Sequence, residues 1–333
     1  MILAGDIGGT NTRLAYFAEE NGAIVWKLHA RYPSPKYASL NEIVADFINE
    51  HHLPVNYAAF GIAGPVVDGS VHTTNLPWIV TTKSLSLLLK MDSVYLLNDL
   101  EANTWGMFTL SESDFFSLNE GERTERGNVA VISAGTGLGE AGATWLAGEY
   151  HPFGCEGGHT NFSPQDEAQD LLLSYLRKKF GHVSWERVLS GDGLYNIYCF
   201  LRDTKYGEES DWLHEQFSQH NSGQVVTTNA LSGSSKACEE ALSMFCDLYG
   251  VQAGNLALQF MARGGVFLGG GIAPKIITKL KSSNFMNCFT DKGRMKPYLQ
   301  SIPIKVVLND NAALLGCCSY ALHMAGIKKK IVV

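Results

Sequence analysis

The chain has 333 residues, 45% hydrophobic and 18% charged, with a formal net charge of −7 and a pI near 5.8. That length and balance suit a globular protein of about two domains, and the acidic surplus argues against a nucleic-acid binder. Seven cysteines without a Cys-x-x-Cys pair point to a reduced chain with no disulfide framework. No apolar run approaches the ~18 residues of a membrane span, and the N-terminal residues lack the pattern of a signal peptide, so a cytoplasmic location is expected.

Ile2 to Ala4 is apolar, breaks at Asp6-Ile-Gly-Gly-Thr-Asn-Thr-Arg13, and resumes at Leu14 to Phe17. This predicts a strand, a glycine-rich turn and a second strand. Glycines let backbone N–H groups approach a ligand closely, and successive N–H groups in such a turn form an anion nest. Asp6 is the acidic exception; Mg²⁺ bridging a carboxylate and phosphates would reconcile it. An ordinary β-turn is the plain alternative. A third strand, Trp26 to Tyr32, ends at Pro33. Ser39 and Glu42 form a capping box before the helical stripe Leu40, Ile43, Val44, Phe47 and Ile48.

Tyr57 to Ile62 reads as a strand entering Gly61-Ile-Ala-Gly-Pro65, and Asp68-Gly69 marks a hairpin turn. Thr73 to Trp78 is a polar loop containing Asn75, suited to a ligand pocket or to a surface turn. A helix near Ser84 to Lys90 follows. The apolar run Val94 to Leu97 then stops at Asn98 and Asp99, before a helix-compatible run from Leu100 to Phe108. Ligands in α/β folds sit at the open ends of strands, and a carboxylate there can accept a proton from a substrate hydroxyl. Asp99 equally suits the N-cap of the next helix.

Residues 111–126 read as a polar connection between units. Val129 to Ser133 opens a second strand–glycine unit, Ala134-Gly-Thr-Gly-Leu-Gly-Glu-Ala-Gly142, with a literal G-x-G-x-x-G at Gly137, Gly139 and Gly142. A dinucleotide fingerprint needs a helix next. Ala143 to Tyr150, turning at Gly148, reads instead as a hairpin strand. The unit therefore repeats the chain's own start, and two such turns could grip one polyphosphate from two sides.

Glu156 and His159 flank two glycines, can face one concave space, and suit a hydroxyl-rich ligand. A zinc site through Cys155 and His159 lacks further ligands. Ser163-Pro164 with Asp166 and Glu167 suits a helix start, with Leu171, Leu172, Tyr175, Leu176 and Phe180 as its buried stripe. Glu186 by itself suits a solvated helix position. Residues 203–226 carry no clear pattern. Ser234 to Phe260 is a long helical region, with a break expected near Gly250 or Gly254. Gly264 to Leu268 leads into Gly269-Gly-Gly271, a backbone shelf suited to a flat ring or a tight turn, then a helix from Pro274 to Lys281. Residues 282–301 look irregular. Ile304 to Leu308 is a late strand, Asn309 or Asp310 a cap for the final helix, and Lys328 to Lys330 a solvated tail.

Taken in order, Asp6-Ile-Gly-Gly-Thr-Asn11, Gly61-Ile-Ala-Gly-Pro65, Leu97-Asn-Asp99, Gly135-Thr-Gly-Leu-Gly139, Glu156-Gly-Gly-His159, Glu186-Arg-Val-Leu-Ser-Gly191 and Gly269-Gly-Gly-Ile272 resemble the motifs of bacterial glucokinases, ATP-dependent hexose kinases, end to end. The resemblance implies a two-lobed actin-like ATPase (ribonuclease H-like) α/β fold, each lobe a mixed sheet flanked by helices, with the active site in the interdomain cleft. The expected lobes are 1–110 plus 302–333, and 111–301. It implies Asp99 as catalytic base and Asn75, Asn98, Asp99, Glu156, His159 and Glu186 as holders of the sugar hydroxyls. It implies that Asp6 supports Mg²⁺ through water, that Gly8, Gly9, Thr10, Asn11, Gly135, Thr136 and Gly137 flank the phosphates of ATP, and that Gly269, Gly270 and Gly271 lie by the nucleoside. Glucose and ATP are the implied partners and a homodimer the implied assembly, with no nucleic acid or membrane. Ser190-Gly-Asp-Gly193 departs from the family's Ser-Gly-Pro-Gly. The zinc-binding cysteines of the related repressor/kinase family are missing after His159, as is that family's N-terminal DNA-binding extension. A non-catalytic sugar sensor on the same fold is the rival, disfavoured by intact Asp6, Asn98, Asp99 and both turns.

Overall fold

A computed structural model describes the chain except Leu53, Thr74, Asn75, Arg123 and Val333. Asn75 therefore lies outside the described residues. The chain divides into two compact units, Met1–Asp114 with His151–Gly154 and Asn309–Val333, and Phe115–Tyr150 with Cys155–Leu308.

The first unit contains β1 (Ile2–Ile7), β2 (Asn11–Glu20), β3 (Ala23–Pro33), β4 (Tyr57–Ile62), the small hairpin β5 (Ser70–His72) and β6 (Ile79–Thr81), and β7 (Val94–Asn98). Its sheet runs β3-β2-β1-β4-β7, with Ile331–Val332 added beside β3. The first three strands form an antiparallel meander, while β4 and β7 continue parallel to β1. Alternation along β1 sends Leu3 and Ile7 to a core with Phe47 and Phe60, and Ile2 and Ala4 to a core with Trp105 and Leu315. Both faces are covered, which is why these strands read as nearly unbroken apolar runs. The register sets Ile7 opposite Ile62 and Ile62 opposite Asn98, so three carboxyl ends finish level. The C-terminal lysines are not a free tail. Lys330 accepts a hydrogen bond from Ile24 N at 2.9 Å, and Lys329 pairs with Glu19.

The other large sheet is formed by β8 (Phe115–Asn119), β9 (Val129–Ala134), β10 (Leu138–Leu146), β11 (Glu149–Cys155), β12 (Gly265–Gly269) and β13 (Ile304–Val307), ordered β11-β10-β9-β12-β13-β8; all but His151–Gly154 of β11 belongs to the second unit. Again an antiparallel hairpin, β9 with β10, joins parallel neighbours, β12 and β13. Leu138 lies opposite Ala134, so a strand follows the Gly137 motif where a dinucleotide fold needs a helix. Residues 304–307, expected in the first lobe, belong to this second sheet because they pair with β12. Their other neighbour is β8, a strand inside the expected connection 111–126.

Several helices differ from expectation. Lys236–Gln259 is continuous through Gly250 and Gly254. A Cβ at those positions would lie 2.2 Å from the carbonyl oxygen of Phe285 and 2.4 Å from that of Phe289. The glycines admit a crossing backbone; they do not break the helix. That crossing backbone is the Phe285–Thr290 helix, within residues expected to be irregular, and Asp211–Gln219 and Ser222–Leu231 are helices where no pattern was evident. Asp166, not Ser163, caps the Glu167–Phe180 helix, and Leu171 on its stripe is 58% exposed. The final helix, Ala312–Met324, starts after Asn311, whose N–H is held by Asn309 Oδ1 at 3.0 Å. No helix among the described residues is long and apolar enough to cross a membrane.

Candidate active site

The first unit's candidate residues gather at the level ends of β1, β4 and β7. The Gly8–Asn11 turn closes with Gly8 N donating to Asn11 O at 3.0 Å. Ser34, fully buried, pins the turn from behind. Its N–H donates to Thr10 O at 3.1 Å and its hydroxyl to Gly8 O at 2.7 Å. The single Ser34 proton is thus committed, so the 3.0 Å contact with buried Thr12 has Thr12 as donor. The carbonyls of Gly8, Thr10 and Asn11 are all engaged within the protein. Among the described residues, the N–H groups of Gly9 and Thr10 have no protein acceptor, which is the donor pattern of an anion site.

Asp6 does not stand alone in this loop. Arg13, its partner across β1 and β2, donates to Asp6 Oδ2 from Nη2 at 2.7 Å and from Nε at 3.0 Å. Arg13 also donates to the Asp310 carbonyl at 2.8 Å. The acidic conflict seen in the sequence is therefore largely met by a guanidinium from the neighbouring strand. Both contacts reach Oδ2.

Asn98, rather than Asp99, is the N-cap of the Asp99–Met107 helix. Its Oδ1 accepts from Leu100 N at 2.9 Å and Glu101 N at 3.3 Å, and its Nδ2 donates to Gly64 O at 3.3 Å. Asp99 occupies the first helical position, where a carboxylate suits the helix dipole, and its Oδ1 also receives Leu100 N at 2.9 Å. Gly61 lets this helix close on β4, since a Cβ there would lie 2.7 Å from Ala102 Cβ.

In the second unit the Gly135–Gly137 turn ends β9, and Gly269–Gly271 ends its parallel neighbour β12, with Gly269 opposite Ser133. Glu186 braces the first of these turns. Its Oε2 accepts from Leu138 N at 3.0 Å and lies 2.6 Å from where a Gly137 Cβ would be. Gly191 N adds a 2.9 Å bond to Gly135 O. Gly270 is glycine for its own reasons, with φ +79° and a Cβ position 2.4 Å from Ala134 O. Gly135 and Gly271 differ. Neither has a positive φ, and a Cβ on either would meet nothing within 4 Å. Among the glycines described, these two combine a non-positive φ with open space where a side chain would stand, so neither backbone conformation nor crowding from the chain itself requires them.

Glu156 precedes the one-turn helix Gly157–His159 and His159 ends it; both are more than half exposed, with His159 Nε2 3.8 Å from Glu156 Oε2. The two glycines between them are obligatory. A Gly157 Cβ would fall 1.9 Å from Glu140 Oε2, and a Gly158 Cβ 2.1 Å from Leu138 O. Among the described residues no cluster of His, Cys, Asp and Glu could hold a metal by itself.

Comparison with known proteins places this arrangement. The Glucokinase family model matches residues 3–324. The chain belongs to the glucokinase family. A glucokinase of Trichormus variabilis is 37% identical, over 97% of this chain and 99% of that protein. A crystal structure of a glucokinase from an Antarctic psychrotroph covers 97% of this chain and 98% of that one, at 30% identity and a TM-score of 0.84. A Balamuthia mandrillaris glucokinase, solved in complex with glucose, shares the fold at 24% identity and a TM-score of 0.80. The two-lobed actin-like kinase fold expected from the motifs is thereby established.

Within this family assignment, each glycine turn singled out in the sequence lies at the carboxyl end of a sheet strand, where α/β folds bind ligands. Two residues of the same neighbourhoods escaped the sequence reading. Ser34 sits between two prolines and looked like a strand terminator, and Glu140 lay hidden within the glycine motif. A lone acid in an otherwise apolar strand was the available signal for Glu140.

Proposed function

We propose that this chain transfers the γ-phosphoryl group of ATP to the 6-hydroxyl of glucose, giving glucose 6-phosphate and ADP. The observation that carries the nucleotide half is the pair Gly135 and Gly271, glycines on adjacent strand ends that the fold itself does not require. A side chain at either would occupy space that a nucleotide's phosphates and nucleoside need. On this reading Gly8, Gly9, Thr10 and Asn11 with Gly135, Thr136 and Gly137 flank the phosphates, and Gly269, Gly270 and Gly271 flank the nucleoside. By resemblance, Asn98, Asp99, Glu156, His159 and Glu186 hold the sugar, and Asn75 belongs to the same set.

Asp99 accepts the 6-hydroxyl proton as that oxygen bonds to the γ-phosphorus and the bond to the bridging oxygen breaks, with ADP leaving. Alignment and charge stabilisation by the backbone N–H groups supply most of the acceleration, as is general for phosphoryl transfer. Glu186 serves both halves, one oxygen bracing the phosphate turn and the other directed to the sugar. Bound Mg²⁺ would neutralise phosphate charge, with Asp6 Oδ1 holding one of its waters. A cytoplasmic location and a homodimer complete the proposal.

The test is ADP release measured against a panel of hexoses, with ATP, ADP or polyphosphate as donor. Hexose-dependent release from ATP, greatest with glucose, is expected. In Asp99→Asn, kcat should fall by at least about 10²-fold with sugar binding retained. Near-normal turnover in a folded Asp99→Asn protein removes Asp99 from the role.

A further inference from the structure

We propose that Glu140, a carboxylate buried on β10, is a positioning residue for the hexose, forming the floor that sets the height of the Glu156–His159 loop. The inference rests on the reading above that Glu156 and His159 hold the sugar.

Glu140 is 1% exposed and takes no part in the chemistry just described. Its Oε1 accepts from Gln252 Nε2 at 2.7 Å, and Gln252, itself 2% exposed, accepts from Asn255 Nδ2 at 3.1 Å. This chain of bonds fixes the plane of the carboxylate from the Lys236–Gln259 helix. The other oxygen, Oε2, lies directly under Gly157, so close that a Cβ there would sit 1.9 Å away. Gly158 rests in the same way on the carbonyl of Leu138, and Cys155 Sγ donates to the carbonyl of Glu140 at 3.4 Å. Three supports, from residues 138 and 140 of one strand, thus hold the residues around Glu156. The same strand begins at the phosphate turn, so sugar loop and turn share one rigid element.

Core packing alone does not account for a planar polar group here. A buried carboxylate with one hydrogen-bond donor costs stability relative to an apolar or amide side chain of similar size, and burial pushes the Glu140 carboxyl above its ordinary value. Costly groups that the fold does not need tend to lie at functional sites. What Glu140 supplies is a flat, oriented surface that glycine, and no larger residue, can approach.

Four variants test this: Glu140→Ala, Glu140→Gln, Gly157→Ala, and Glu140→Ala with Gly157→Ala. Removing the floor in Glu140→Ala should raise the hexose KM about tenfold or more, with kcat and the KM for ATP within about threefold. Gly157→Ala should do the same by lifting the loop. Glu140→Gln, which keeps the flat shape, should stay near wild type. In the double variant the new methyl fills the space left by the carboxylate, so the loss should be smaller than the product of the two single losses. A hexose KM unchanged in Glu140→Ala while Glu156→Gln raises it overturns the proposal alone. An unchanged KM in both Glu156→Gln and His159→Asn overturns the sugar reading with it. Should Glu140→Ala fail to fold, Gly157→Ala and Glu140→Gln decide: equal hexose KM in both, or a matching rise in the KM for ATP, refutes the floor.

Discussion

The helix that carries Asp99 is held by a crossing tight enough to be tested with one methyl group. Asp99–Met107 meets Ala312–Met324 at Gly106 and Gly316. A Cβ on Gly316 would lie 1.7 Å from Ala102 O and 2.7 Å from Gly106 N. A carbon–oxygen contact of this kind settles near about 3.3 Å, so Gly316→Ala demands a separation of about 1.6 Å. The obstacles are backbone atoms, and no side chain can rotate away. Overpacking of this kind costs about 3 kcal/mol, offset by about 1 kcal/mol from the better helix propensity of Ala. A net loss near 2 kcal/mol lowers Tm by about 4–8 °C, measurable by scanning calorimetry. Because Asn98 and Asp99 head the displaced helix, kcat should also fall by about tenfold or more, in line with the cost of ångström-scale misplacement. A Gly316→Ala protein with unchanged Tm would falsify the account of this crossing.

Gly135→Ala and Gly271→Ala should fold with stability within about 0.5 kcal/mol of wild type, as surface substitutions do, yet raise the KM for ATP; an unaltered KM excludes that turn from the nucleotide site. Ser34→Ala removes the donor to Gly8 O and the acceptor of Thr12, so about 1–3 kcal/mol of stability should be lost along with ATP affinity, and full retention of both would show that the turn needs no brace. The Glu140 carboxyl is raised above its ordinary value of 4.5 by burial. A raised carboxyl contributes stability that is present below the unfolded value and lost as pH rises through the folded one. Glu140→Gln should therefore raise Tm at pH 7–8, by an amount that shrinks as the pH falls towards 4. A pH-independent difference contradicts this.

Much of the candidate site's local structure was legible because it is written in short segments. A strand, a glycine turn and a return strand are written within eight residues at Asp6 to Arg13, and again at Ser133 to Glu140. The apolar run into Asn98 and Asp99 likewise marks a strand end without further help. What stayed hidden depends on partners far along the chain. Asn98 and Asp99 are both good caps, and only the placement of Gly64 and the Glu101 N–H assigns that task to Asn98. Glu186 looks like a solvated helix residue until Leu138, 48 positions earlier, donates to it. Gly250 and Gly254 read as helix breakers because their reason is a second backbone, that of Phe285 and Phe289. Short-range chemistry, namely glycine freedom, side-chain alternation and cap preference, determined the turns and the strand ends. Burial and close approach, which exist only once distant segments meet, decided what each polar side chain and each glycine is for.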